Sequence, residues 1–453
     1  MAFRDECGVF GIWPAPEASR QTYLGLYALQ HRGQEAAGIC TRNGHDLHLH
    51  KAQGYVADIF TEAILNRLPG DAAIGHTRYS TTGGNVASAA HPFLVEGRFG
   101  KVALCHNGNL TNTETLRQKL IAEGQVFTSP SDSEVILSLI NRSRRSTLEE
   151  AVAEALAMAK GAYSLLILGE HQLIAARDPH GFRPLSLARL GEGFVLSSES
   201  CAFDLVGAHY EREVEPGELL VLDASGQRSL RPAERVDPRP CVFEHVYFAR
   251  PDSDVFSRSV MATRREMGRC LARRHPVAAD LVVPVPDSGV SAALGYAEAS
   301  GIPFEFGLIR NHYVGRTFIE PKQSIRSFGV KVKLNPVRSL LKGKRVVLVD
   351  DSLVRGTTSK KIVQMVREVG AAEVHLRISS PPTTHSCFYG IDTPHREQLI
   401  ASHQSLEQIR QFIDADSLGY LTLEELQASM QDFAGAGFCY ACFTGDYPVP
   451  PEP

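Results

Sequence analysis

Two adjacent carboxylates, Asp350 and Asp351, close an apolar run and open a loop of small, hydroxyl-bearing residues in VVLVDDSLVRGTT, residues 346–358. A buried parallel strand that ends in acids and turns into a helix keeps its ligand side beyond the strand's carboxyl end. The helix behind the loop offers unpaired N–H groups and the positive end of its dipole, so residues 352–358 suit a monophosphate. The two carboxylates stand where ribose hydroxyls or a hydrated Mg²⁺ can be held. For the acid pair alone an ordinary strand-to-helix turn explains as much; the thirteen-residue string is far more specific. A second loop, PDSGVSAA at 286–293, follows the strand candidate DLVVPVP and sets Asp287, Ser288 and Gly289 where a helix begins. Alone it is a common turn. Residues 310–336 lie between the two loops and carry Arg310, Arg316, Lys322, Arg326, Lys331 and Lys333. Such a run is ordinarily a solvated basic face, but an excursion of roughly 25 residues in a compact α/β unit points to a functional lid that brings its cations over a bound ligand and excludes water.

The nine cysteines stand at positions 7, 40, 105, 201, 241, 270, 387, 439 and 442. A lone cysteine at a strand start is most often a core residue. Cys7 has another possibility. If residues 1–6 are removed it carries a free α-amine, whose pKa of about 7.7–8.0 lets it act as base to its own thiol without a separate histidine. Cys439 and Cys442 form the close C-x-x-C pair. With two distant cysteines that spacing suits structural zinc and an iron–sulfur cluster alike. A redox pair is disfavoured, because no strand of a thioredoxin-like unit precedes it. Cys40, Cys105, Cys201 and Cys270 read as ordinary buried residues.

These groups need a large scaffold, and 453 residues supply one, with 43% apolar and 22% charged residues as in a soluble globular protein. The net charge of −4 excludes a general attraction to nucleic acid or anionic lipid. No apolar run approaches the roughly 18 residues of a membrane span, and MAFRDE is too short and acidic for a signal peptide, so a cytosolic protein is expected. Short apolar segments at 7–13, 72–79, 102–106 and 164–169 predict strands. Ser131-Asp132-Ser133-Glu134 has the form of a capping box, and residues 148–159 have helical composition. After about Pro240 strands and helices alternate: DLVVPVP, SAALGYAEA, RVVLVDD, KKIVQMVREVG, EVHLRIS. This pattern implies a parallel sheet with helices on both faces. The Arg- and Pro-rich stretch 231–240 marks the boundary.

Five segments of the first half resemble, in type and order, the class II glutamine amidotransferases. They are CGVFGIW from Cys7, LQHRGQEAAG, GHTRYST, HNGNL and SDSE. Alone, HNG is a turn signal, TRY a strand edge and SDSE a helix cap. The resemblance implies Cys7 as N-terminal nucleophile after loss of a 1–6 propeptide, with Arg32 structural. It implies Arg78 on the substrate α-carboxylate, Asp132 on its α-ammonium, and Asn107 and Gly108 as oxyanion hole.

The string 346–358 resembles the phosphoribosyl pyrophosphate (PRPP) signature of type I phosphoribosyltransferases. That implies PRPP contacts from Asp287, Ser288, Asp350, Asp351, Ser352, Arg355, Gly356, Thr357 and Thr358. It also implies one Mg²⁺ per subunit near Ser288, Asp350 and Asp351, under a lid bearing Arg310, Arg316, Lys331 and Lys333.

The chain as a whole is similar to the enzyme family that joins these two units. The expected fold is an α+β N-terminal-nucleophile sandwich over 7–235, followed by an α/β transferase domain over 236–453 with a C-terminal cluster-binding segment. The implied reaction converts PRPP and glutamine to 5-phosphoribosylamine, glutamate and pyrophosphate, with ammonia passed internally, as the first step of purine synthesis. One branch of the family carries a [4Fe–4S] cluster, whose four ligands correspond here to Cys241, Cys387, Cys439 and Cys442. Purine nucleotide inhibitors and a homotetramer are implied as well, with neither nucleic acid nor membrane as partner. An ammonia-dependent transferase with an inert glutaminase half, and a PRPP-sensing regulator without turnover, are the competing readings.

Overall fold

The structure is a computed structural model that describes residues 7–79, 89–232, 235–311, 334–430 and 437–452. The expected propeptide 1–6 and the lid positions Arg316, Lys322, Arg326, Lys331 and Lys333 lie outside the described residues.

The first half is built from β1 (Gly8–Trp13), β2 (Ala36–Asn43), β3 (Asp46–Gln53), β4 (Ala72–Arg78), β5 (Phe93–Gly97), β6 (Gly100–Leu110), β7 (Gly161–Leu168), β8 (Gln172–Arg177), β9 (Ser186–Leu190), β10 (Gly193–Ser197), β11 (His209–Glu213), β12 (Leu219–Asp223) and β13 (Gly226–Leu230). They form two antiparallel sheets, ordered β11-β9-β10-β1-β4-β2-β3 and β13-β12-β8-β7-β6-β5. Alternation along β1 shows how they stack. Val9 and Trp13 enter the layer between the sheets with Ile74, Cys105, Leu166 and Leu196. Phe10 and Ile12 face the other way, packing with Leu26 of the helix Ala18–Ala28. On the far side Val102, Leu104, Leu165 and Ile167 meet the helices Asp132–Arg142 and Leu148–Leu156. Side chains with a period of two thus serve two cores at once, giving a helix–sheet–sheet–helix sandwich.

Two local expectations are corrected. HNGNL is not a turn; it continues β6, with Asn107 opposite Ser164 and Gly108 opposite Tyr163. A turn signal is overridden here because β7 offers a full ladder of partners. Ser131 does cap its helix, accepting the Ser133 N–H. Glu134, however, accepts the N–H and hydroxyl groups of Thr128 and Ser129 rather than closing the box. Four donors from the upstream turn satisfy a carboxylate better than one N-cap N–H. Cys40, Cys105 and Cys201 are buried as expected, whereas Cys270 is only partly so, its thiol donating to Glu266.

The second half holds β14 (Asp254–Val255), β15 (Arg258–Ser259), β16 (Leu281–Pro284), β17 (Leu308–Arg310), β18 (Leu334–Pro336), β19 (Arg345–Asp350), β20 (Glu373–Ile378) and β21 (Ser417–Tyr420). The order β16-β19-β20-β21 is parallel throughout. Val282, Val347 and Val349 pack with Met267, Leu271 and Tyr296 from the helices Val260–Arg274 and Val290–Ser300. Val283, Val346 and Leu348 pack on the opposite face with Ile362, Val366 and Ile413 from the helices Thr357–Glu368 and Leu406–Ile413. Both faces are covered, which is why RVVLV reads as an unbroken apolar run. The two ends of the basic excursion pair with each other, β17 against β18, with Arg310 opposite Leu334.

Candidate active sites and the junction between them

At the amino end of β1, Cys7, Arg78, His106, Gly108 and Asp132 line one pocket. β1 and β4 are neighbours, Gly8 facing Thr77, so Arg78 comes beside Cys7. β6 and the helix beginning at Asp132 bring the rest. The Cys7 thiol donates to the Tyr79 carbonyl at 3.6 Å. Gly108 has φ +146°, and a Cβ there would lie 2.2 Å from the Ala162 oxygen, so only glycine fits the ladder at this point. Asn107 is 2% exposed, and its Nδ2 has no hydrogen-bond partner among the described residues. A buried amide donor left unpaired is costly and calls for an acceptor from outside.

Asp132 is held from two sides. Its Oδ2 accepts the Leu110 N–H at 3.1 Å, and its Oδ1 faces His106 Nδ1 at 3.3 Å. The other His106 nitrogen faces the Ala162 carbonyl at 3.3 Å. Both ring nitrogens meet acceptors, so the imidazolium satisfies this environment. Burial by itself would lower the His106 pKa, but the Asp132 carboxylate and the Ala162 carbonyl together carry it above the usual value. Asp132 correspondingly lies below the usual carboxylate range: burial opposes this, and His106 and the backbone N–H groups outweigh it. His106 is a site residue that sequence reasoning missed. Its signal was present as the first letter of HNGNL.

In the second half, β19 delivers Asp350 and Asp351, both under 10% exposed, to the carboxyl edge of the sheet. Ser288 Oγ donates to Asp351 Oδ1 at 2.6 Å and Ser352 Oγ to Oδ2 at 2.5 Å. Ser288 and Asp351, two of the groups expected around a cation, are thereby joined, and Asp350 accepts the Asp351 N–H at 3.0 Å. Burial, and then the adjacent Asp351 charge, push the Asp350 carboxyl well above its ordinary value. A cation at this point would reverse that. Gly356, at φ +73°, precedes the helix Thr357–Glu368, whose first N–H groups face the loop. Arg355 is turned to Gln398. Asp287 pairs with Arg310, so the described end of the basic excursion already reaches the second loop.

A pocket of about 470 Å³ contains Asp287, Ser288, Arg310 and Thr358, and also His31 and Gln34 from the first half. The junction beneath it is ionic and fully buried. Arg32 donates to Glu199 at 2.5 Å, to Glu244 at 2.7 and 2.9 Å, and through Nε to the Cys7 carbonyl at 3.1 Å. Arg183 joins Glu244 at 3.3 Å and donates to the Tyr389 carbonyl at 3.0 Å. Glu199 stays far below the usual carboxylate range because His31 and Arg32 overcome its burial.

The cysteine-bearing strands also converge here. Cys439 N–H donates to the Pro240 carbonyl at 2.8 Å, which sets Cys241 beside Cys439. Burial, then the sulfurs of Cys241, Cys439 and Cys387, push the Cys442 thiol well above its ordinary value, and burial pushes Cys439 up to about 12. No three of these sulfurs lie within 4.8 Å of one another.

Comparison with known proteins bears on both halves. A glutamine amidotransferase domain model matches residues 76–204, and a phosphoribosyl transferase domain model matches 265–379. The amidophosphoribosyltransferase of Bacillus subtilis (strain 168) is 51% identical over 449 residues, 98% of this chain and 94% of that one. The chain belongs to the amidophosphoribosyltransferase family. The chloroplastic amidophosphoribosyltransferase of Vigna aconitifolia is 53% identical over 450 residues, 99% of this chain and 92% of its own length. Among solved structures, glutamine PRPP amidotransferase from B. subtilis complexed with ADP and GMP aligns with a TM-score of 0.93 at 50% identity, covering 98% of each chain. As an amidophosphoribosyltransferase the chain catalyses glutamine-dependent amination of PRPP, the first step of purine synthesis. Among the described residues no helix is long and apolar enough to cross a membrane.

Proposed function

We propose that the two pockets divide this reaction between them, with ammonia crossing the junction. The observation that carries the division is the first pocket, where Cys7, Arg78, Gly108 and Asp132, distant in sequence, surround one space. The Cys7 thiolate attacks the glutamine carboxamide, its own α-amine taking the proton once residues 1–6 are removed. The oxyanion is received by Asn107 Nδ2 and the Gly108 N–H, and the unpaired state of that amide supports this role. Arg78 grips the α-carboxylate and Asp132 the α-ammonium. Ammonia leaves, and water releases glutamate from the thioester.

Loss of ammonia to bulk water would waste each turnover. The pocket shared by His31, Gln34, Ser288 and Arg310 supports an internal passage. There ammonia displaces pyrophosphate at C1 of PRPP. The 5′-phosphate rests on the N-terminal turn at Ser352, Gly356, Thr357 and Thr358, with Arg355 alongside. Asp287 and the lid cations Arg310, Arg316, Lys331 and Lys333 meet the pyrophosphate. Ser288, Asp350 and Asp351 would hold Mg²⁺, which when bound neutralises charge developing on the leaving group.

Cys241, Cys387, Cys439 and Cys442 would hold a [4Fe–4S] cluster; three buried thiols and the half-buried Cys387, with Cys241 bridged through the backbone to Cys439 and all three others acting on the Cys442 thiol, support that reading. Neither half-reaction transfers electrons, so its role is structural or regulatory. Purine nucleotides, the ligands of the solved B. subtilis relative, share the ribose phosphate that the 352–358 loop is suited to. A homotetramer of chains comprising units 7–235 and 236–453 completes this reading.

Cys7→Ser tests it. The variant should lose glutamine-dependent pyrophosphate release by at least a thousandfold while retaining amination driven by free ammonia. Equal loss of both activities would overturn the division of labour. Mass spectrometry of active protein should find Cys7 at the N-terminus, and an intact Met1 would remove the α-amine from the mechanism.

A further inference from the structure

We propose a binding site for a divalent transition-metal ion formed by His45, Glu170 and His171, at the end of the first-half sandwich away from Cys7. One nitrogen or oxygen from each of these residues lies within 4.8 Å of the others. The residues come from two hairpin turns. His45 sits between β2 and β3 of the seven-stranded sheet; Glu170 and His171 sit between β7 and β8 of the six-stranded sheet. An ion held there joins the two sheets.

The donor set selects the metal class. Two imidazoles and one carboxylate suit Zn²⁺, Ni²⁺ or Cu²⁺ and leave positions open for water, whereas Mg²⁺ prefers oxygen alone. The carboxylate is already aimed. Glu170 Oε1 accepts the Lys101 N–H at 3.3 Å, and Oε2 faces His45 Nδ1 at 3.2 Å. Gly100 lies beneath it, and a Cβ at that position would be 2.0 Å from Oε1. The two imidazole rings stand edge to face with centroids 5.1 Å apart, so they converge without stacking. The ion takes His45 Nδ1 and Glu170 Oε2 as ligands in place of their direct contact. The His45 side chain is 79% exposed, so an ion enters without rearranging the core.

Register sets the site apart from catalysis. Along β2, Ala36 is opposite Arg78 and Asn43 opposite Asp46, and the strand's eight residues span about 25 Å. Along β6 and β7, Gly108 pairs with Tyr163 while Ala103 pairs with Leu168, beside the Glu170 turn. The ion therefore acts by holding the two sheets together and not by touching substrate. Binding to the folded state alone raises thermal stability by mass action.

The test uses the full chain with its Mg²⁺ and cysteine site intact. Cu²⁺ added at one equivalent should give an electron paramagnetic resonance signal split by two imidazole nitrogens, and Ni²⁺ should bind with one equivalent that His45→Ala/His171→Ala lacks. In Glu170→Gln, which keeps the Lys101 contact, Ni²⁺ should bind at least tenfold more weakly. Glutaminase and transferase rates should be unchanged in both variants, which also shows that they fold. A Cu²⁺ spectrum without nitrogen splitting, or Ni²⁺ stoichiometry and affinity equal in wild type and double variant, would overturn the site.

Discussion

Gly108 answers two demands at one position. The β6–β7 ladder needs a residue with positive φ that leaves the Ala162 carbonyl free, and the pocket needs a backbone N–H beside Cys7. Alanine fails the first and displaces the N–H that serves the second, because its Cβ would occupy the carbonyl's place. Gly108→Ala should cost at least roughly 1–3 kcal/mol of stability from backbone strain. It should reduce glutamine hydrolysis far more than ammonia-driven turnover, and steady-state assays with each nitrogen donor measure the difference. His106 is the complementary case. Its chemistry as an imidazolium arises only because Asp132, 26 residues away, and Ala162 meet on either side of the ring. Sequence order marks Asp132 as an acid near a helix start but does not show which cation it faces.

Elements were legible in proportion to how locally their hydrophobic pattern was decided. β19 and its loop could be read directly, since a strand buried on both faces followed by a phosphate-type turn leaves little choice of ligand edge. The expected helix KKIVQMVREVG begins three residues earlier, at Thr357, because Gly356 supplies the left-handed turn that lets the TT pair join it. The extension of β6 through HNGNL could not be read, because β7 decides it from some 60 residues away. The ionic junction is equally hidden: the resemblance implies a structural role for Arg32, but its partners Glu199 and Glu244 are scattered along the chain.

The turn Glu244–Phe248 carries that junction into the second half. Glu244→Gln would leave Arg32 and Arg183 buried against a neutral amide. Breaking a buried pair in this way costs about 3–5 kcal/mol, which denaturant unfolding should register. Because Arg32 also holds the Cys7 carbonyl, glutamine-dependent turnover should fall further than the ammonia-dependent rate.

At the scale of the whole molecule, acid sensitivity follows from histidines buried as neutral rings. His76 and His245 are each lowered to about 3, chiefly by burial, and His91 lies well below its ordinary value for the same reason. Between pH 6.5 and 3 the unfolded chain takes up protons on these three rings that the folded chain refuses. Folding is therefore weakened as pH falls, by up to about 1.4 kcal/mol per pH unit for each ring. Thermal melts should drop steeply below pH 6 and be flatter in His91→Asn, provided that variant folds. A melting temperature constant from pH 7 to 4 would contradict the assignment.

The segment 387–390 has a consequence for how such a protein can be divided. Asn109 Nδ2 donates to the Phe388 carbonyl at 3.0 Å, a Cβ on Gly390 would lie 3.0 Å from the Gly108 backbone, and Tyr389 stacks on Phe182 with centroids 4.2 Å apart. Gly108 and Asn109, which line the glutaminase pocket, thus rest against an outer wall of chain that is synthesised late. A protein cut after residue 235 would keep both sheets yet lose this wall, and it should hydrolyse glutamine poorly until a 236–453 fragment is added back. Modularity in sequence is not separability in space, and on a ribosome the first pocket stays unfinished until almost the whole chain has emerged.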